Sequence, residues 1–292
     1  DDGTDPRAAA AGRVAAALLA TSRGDHAEIV AATDQAIRAA IAAGDRRSEG
    51  RARVLAGAHL TWSDPTTGSS AIAEASVICS ETGDVSWAVW AGCGAALALT
   101  FLGRPLEVIA ALDAAERTSR RLDVRRLMME VLARRCIAEY QLGRWGECHT
   151  TVQRGRSLAE GFAHVNVTAC FDAIDAMLAT ETGQATDAAQ RMNEAITRHL
   201  REGELQFLPW FISARADALT ATGAPADATT LVHTVREHPG LEWAAIYRHW
   251  LDHSLANALQ VQRPLFSQGM SEGQVYRLVA EGLLERTTVR FG

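Results

Sequence analysis

The chain has no lysine: all 29 of its basic side chains are arginine. With its alanine-rich stretches, this reflects GC-biased coding and says little about mechanism. Cysteine is sparse too. The five residues Cys79, Cys93, Cys136, Cys148 and Cys170 are scattered, odd in number and without any C-x-x-C spacing. They read as buried free thiols, which argues against a redox or zinc role. No apolar run approaches the roughly 20 residues a membrane span needs, and no signal-peptide pattern opens the chain. A cytoplasmic protein is therefore expected, with no membrane partner. Excess positive charge is also missing: the net charge is −6, so the array should repel nucleic acid rather than bind it directly. Finally, there is no glycine-rich phosphate loop, no nucleophile elbow and no H-E-x-x-H. The expectation is of a protein that is not an enzyme, with no cofactor, no metal and no catalytic residues.

What the chain does contain is one turn repeated at a fixed step. Gly103, Gly143, Gly183 and Gly223 stand 40 residues apart. Gly24 and the Ser63-Asp64-Pro65 turn upstream, and the Arg263-Pro264 turn downstream, fall on the same ruler to within one residue. A period in this range marks a solenoid, in which each unit buries its apolar face only against its neighbours. Between these turns lies a second set at Gly44-Asp45, Gly83-Asp84, Leu122-Asp123, Gly161, Gly203 and Pro239-Gly240. Glycine past a helix end with Asp opening the next helix is the punctuation expected of helical hairpins. Pro65, Pro105, Pro225 and Pro264 sit where a helix starts on proline without losing a hydrogen bond. The hydrophobic share of 48% supplies a core for one continuous domain over 1–292. The start, Asp1-Asp2-Gly3 without methionine, suits a piece excised from a longer polypeptide.

A ladder of small residues supports the frame. Seven residues before each turn centre stand Ala17, Ala56, Ala96, Cys136, Ala176, Ala216 and Ala256. Five after it stand Ile29, Gly68, Val108, Cys148, Ala188, Ala228 and Gln268; twelve after it, Ala36, Ala75, Ala115, Gly155, Ala195, Val235 and Val275. Ile29 and Gln268 fit poorly. Helices packed in stacked hairpins approach closely at set positions, which then admit only small side chains.

Small residues at these offsets around a glycine turn resemble the tetratricopeptide repeat, over essentially all of residues 8–286. The departure is length, since the family period is 34. HEAT and armadillo repeats have a period closer to 40 but not this ladder. The resemblance implies an all-α, right-handed superhelical solenoid of about seven antiparallel hairpins turning near 24, 63, 103, 143, 183, 223 and 263. Long-helix arrays of this type, with phrases such as Gln141-Leu142-Gly143-Arg144-Trp145 and Leu102-Gly103-Arg104, resemble the sensor region of large LuxR-type signal-transduction ATPase regulators, the maltose-regulon activator type. That implies a module working with other domains of the same bacterial transcriptional regulator. The helix beginning Ser271-Glu272-Gly273-Gln274 is like the opening of a LuxR-type DNA-binding domain, but no recognition helix follows it.

Family geometry puts groove-facing side chains thirteen, ten, six, three and two residues before each turn. The thirteen-before slot carries Trp90, Trp210 and Trp250, along with Gly50, Glu130 and Cys170; the other slots add Phe101, Tyr140, Asp217, His253 and Asn257. Trp210 and Trp250, on adjacent helices, are expected to frame a primary site with Asp217, His253 and Asn257, while Trp90, Phe101 and Tyr140 form a second aromatic patch. Such a groove suits a small effector or peptide; the alternative is a plain docking scaffold without a small ligand. His249 and His253 lack the further ligands zinc would need. The run Arg117, Arg120, Arg121, Arg125, Arg126, Arg134, Arg135 straddles a turn and reads as a solvated face or a dock for an acidic partner domain.

Overall fold

The computed structural model describes residues 5–23, 26–160, 165–202 and 208–236, and every regular element among them is an α-helix. The helices run α1 Pro6–Arg23, α2 His26–Ala42, α3 Arg46–Leu60, α4 Pro65–Glu81, α5 Val85–Phe101, α6 Pro105–Leu122, α7 Arg125–Gln141, α8 Trp145–Ala159, α9 Val165–Glu181, α10 Ala185–Glu202, α11 Leu208–Ala221 and α12 Pro225–Arg236. Each packs on the next, and each odd-numbered helix also packs on the next odd-numbered one. Successive helical hairpins thus stack into an all-α solenoid, with the odd-numbered helices forming a continuous inner layer. The unit expected to turn near 263 lies outside the described residues.

The turns within hairpins follow from glycine. Gly103, Gly143, Gly183 and Gly223 all have positive φ, between 70° and 86°. At the first of them Gly103 N donates to Thr100 O (3.1 Å) and Arg104 N to Leu99 O (2.9 Å). This pair of bonds satisfies carbonyls the ending helix leaves open, and only a residue free of Cβ takes that conformation without strain. The turns between hairpins use Gly44 and Gly83 in the same way, while at the third Asp123 takes the left-handed conformation, with φ 51°. Helix starts carry their own signals. Asp45 and Asp64 accept from Ser48 N and Thr67 N at 3.1 and 3.0 Å, and Pro65 and Pro105 open α4 and α6.

Inside the stack the small-residue ladder is buried. Val108, Cys148, Ala188 and Ala228 are 0% exposed, as are Ala17, Ala96, Cys136 and Ala216. At Gly68 an added Cβ would come within 2.6 Å of Thr61 N and 2.7 Å of Thr61 Cα. At Gly155 it would meet the Phe171 ring at 2.2 Å. One rung differs. Ala56 is only half-buried whereas Gly57 is buried, its Cβ position 2.9 Å from Ile72 Cγ1. The reason is that Asp45, which caps α3, stands 39 rather than 40 residues before Asp84 at the start of α5, so that Gly57 and not Ala56 is the equivalent of Ala96.

Charged side chains also bridge neighbouring units. Arg135 on α7 pairs with Asp113 and Glu116 on α6, and 40 positions on, Asp175 on α9 receives Arg156 from α8 (2.8 Å) and Arg191 from α10 (2.6 Å). All five cysteines are free and buried. No described helix is long and apolar enough to cross a membrane.

Candidate ligand-binding surface

The inner layer is tighter than the groove expected from the sequence. Phe101 is 1% exposed and packs on Trp62, with ring centroids 5.0 Å apart. Tyr140 is 5% exposed, its hydroxyl 3.5 Å from Glu181 Oε1. Glu130 and Cys170, in the thirteen-before slot, are buried as well, and so is Gly50. Because α5 packs on α7 and α7 on α9, these slots face a neighbouring helix and close into the core. Phe101 and Tyr140 share one apolar cluster; Trp90 packs at the other end of α5, about 16 Å away along the helix axis at 1.5 Å per residue, and does not join them. Asp217 is half-buried on α11. Trp210 belongs to the same helix, with its side chain outside the described residues, and Trp250, His253 and Asn257 lie outside them entirely.

What the structure does assemble is a strip of arginine and tryptophan across three consecutive inner helices. Trp87 and Trp90, three apart and so on one face of α5, meet edge to face, with ring centroids 4.6 Å apart at 74°. The guanidinium of Arg51 on α3 lies 5.7 Å over the Trp87 ring, and that of Arg126 on α7 lies 5.8 Å over Trp90. Such a cation over an indole face contributes roughly 0.5–2 kcal/mol depending on desolvation. Both indoles are half-buried: their inner sides rest on the apolar clusters of α3 and α5, which fixes the strip while leaving part of each ring to solvent.

The strip is anchored at one end and open at the other. Asp84, 3% exposed and preceding α5, accepts from Arg51 Nε at 2.6 Å and Arg47 Nε at 3.0 Å. Burial works against the Asp84 charge, but the two guanidiniums outweigh it and hold its pKa below the usual carboxylate range. Arg51 is thereby pinned over Trp87. Arg126 has no carboxylate partner among the described residues, so its donors are available to a ligand beside the Trp90 ring.

The sequence reading singled out Trp90 and Arg126 but not Trp87 or Arg51. The i, i+3 spacing of Trp87 and Trp90 was the available signal for the first. Arg51 was not visible, because its position depends on the packing of α3 against α5. Among the described residues no group of three or more His, Cys, Asp or Glu is placed to hold a metal ion. Compared with known proteins, the sequence matches no family model and has no significant match among curated proteins.

Proposed function

We propose that this chain is a non-catalytic binding module of the tetratricopeptide-like kind, which holds a peptide or small effector against the strip formed by Arg51, Trp87, Trp90 and Arg126. The observation that carries this reading is the pair of partly exposed, rigidly held indoles flanked by guanidiniums on three different helices. Indole faces stack on planar or aromatic groups at low entropic cost, and Arg126 orients an anionic or carbonyl group beside them. The strip spans α3, α5 and α7, so a ligand bridging it binds best at one spacing of the units. Its occupancy therefore biases the pitch of the array, and through the pitch any domain attached to it. That is a physical route to sensing, the role the resemblance to regulator sensor regions implies, with the regulator's other domains as the receivers.

The test is a display selection of random peptides, and a thermal-shift panel of small planar acids, on the full chain, with tryptophan emission as readout. Ligands recovered this way should change the emission, and should bind at least about tenfold more weakly to Arg126→Gln, the loss expected for a hydrogen bond to a charged group. Recovered ligands that bind parent and variant alike and leave the emission unchanged would rule out the strip as the site.

A further inference from the structure

A second feature lies at the turn between α6 and α7. There α6, α7 and α8 enclose an open cleft of about 540 Å³, within the size range of ligand pockets. Its floor is apolar: Val124, Met128 and Leu158. Its rim carries three arginines, Arg120 from the end of α6, Arg125 from the start of α7 and Arg154 from α8, beside Asp123, Ser119 and Ser157. Arg125 donates to the carbonyls of Ser157 (3.3 Å) and Glu160 (3.1 Å), tying the start of α7 to the end of α8 and fixing that wall. Arg120 and Arg154 converge on one oxygen of Glu116 at 2.7 and 2.8 Å, while Arg135 takes the other at 3.2 Å. Glu116 is largely buried, which opposes its charge, yet hydrogen bonds from Arg120 and Arg154 keep its pKa below the ordinary value. One carboxylate thus positions three guanidiniums. A guanidinium has five N–H donors; Arg154 gives one nitrogen to Glu116 and points a second at Met128 Sδ (3.7 Å), but the side chains of Arg120 and Arg154 are 62% and 41% exposed, which leaves donors of both to solvent.

We propose that this cleft docks a peptide segment of a partner protein in which an apolar side chain lies next to a carboxylate. The apolar group packs on Met128 and Leu158, and the carboxylate replaces water on the free donors of Arg120 and Arg154. Charge complementarity selects this occupant. On a chain of net charge −6, three arginines against Asp123 and the buried Glu116 make a local positive excess that attracts an acidic segment. An apolar floor under a charged rim also distinguishes such a peptide from a free inorganic anion, which would gain nothing from Met128 or Leu158.

The inference rests on the reading of the chain as a binding module, but its site is separate from the tryptophan strip, and the experiment keeps the two apart. Fluorescein-labelled ten-residue peptides alternating Leu or Phe with Asp or Glu are titrated into the full chain by fluorescence polarisation, with poly-aspartate as the control. At least one alternating peptide should saturate, and its Kd should rise about tenfold in Arg120→Gln, the loss of one charge-assisted contact, and by a similar factor in Leu158→Asp, which sets a carboxylate in the apolar floor against the peptide's own. Arg126→Gln should leave it unchanged. Thermal melting checks that each variant is folded, since Arg120 is exposed while Leu158 is only partly buried against the main apolar cluster. The cleft assignment is overturned if no alternating peptide saturates, if poly-aspartate binds equally well, or if Arg120→Gln and Leu158→Asp are both silent. Binding lost in Arg126→Gln but retained in the cleft variants would leave the module reading intact and remove this inference alone.

Discussion

Replacing Gly155 by alanine tests the stacking of the units most sharply, because the same chemical change should have opposite signs at two positions. At Gly155, in α8, the new Cβ would stand 2.2 Å from Cζ, 2.3 Å from Cε1 and 2.7 Å from Cε2 of Phe171 on α9, where 3.4–4 Å is ordinary contact. The ring would have to withdraw by more than about 1 Å. It is 0% exposed and sits in the largest apolar cluster, so it has nowhere to go without moving its neighbours. Overpacking of this kind costs about 1–3 kcal/mol and occasionally more. Against it stands the helix preference for alanine over glycine, about 0.8–1 kcal/mol. With three ring atoms overlapped at once the cost falls at the upper end of that range, and the net expectation is a loss of about 2 kcal/mol, or roughly 4–8 °C in Tm at 2–4 °C per kcal/mol. At Gly92, in the middle of α5, nothing lies within 4 Å of the added Cβ. There the propensity acts alone, and Gly92→Ala should stabilise by up to about 1 kcal/mol. Urea and thermal melts followed by circular dichroism at 222 nm measure both. If Gly155→Ala proved as stable as the parent or more so, α8 and α9 would not approach each other as described.

Burial also sets expectations for titration and reactivity. His59, 7% exposed and 2.6 Å from His26 Nδ1 through its own Nε2, has its pKa depressed to about 4, by burial first and the neighbouring imidazole second. The fold therefore takes up this proton less readily than the unfolded chain. Stability is complete above pH 6.5 and falls as pH drops from 6.5 toward 4, by about 2 kcal/mol at pH 5 from this group, at 1.36 kcal/mol per pKa unit. The pH dependence of Tm in His59→Gln should be flatter than the parent's between pH 7.5 and 5; parallel curves would show that the imidazole is not held neutral. Burial likewise pushes the Cys79 thiol up to about 11, and those of Cys93 and Cys170 to about 12. In native protein at pH 8, Ellman's reagent should find these three thiols silent, and all five should react after unfolding; rapid native reaction of any of the three would contradict its packing.

The turn ruler was readable in the sequence because a left-handed backbone position is a local demand that glycine meets without strain, as at Gly103 and Gly143. The small-residue ladder was readable for a related reason: close helix approach excludes volume whatever the surrounding sequence. The binding surface was less so. Whether Phe101 or Tyr140 faces a groove or a neighbour depends on how closely successive inner helices lie, which only the packed structure shows. Arg51 and Arg126 come from helices before and after the tryptophans they cover, and such pairings exist only after packing. The charge run around Arg120 was visible as a feature, whereas the apolar floor that turns it into a cleft is assembled from α7 and α8.

The claim that the arginine–tryptophan strip is the binding surface is tested most directly by 19F NMR of the chain labelled with 5-fluorotryptophan, its resonances assigned by single Trp→Phe substitutions. On titration with a ligand recovered from the selection, the Trp87 and Trp90 signals should shift together and saturate with the same Kd, while that of Trp62, 4% exposed in the core, stays in place. A saturating ligand that leaves both Trp87 and Trp90 unmoved would contradict the account.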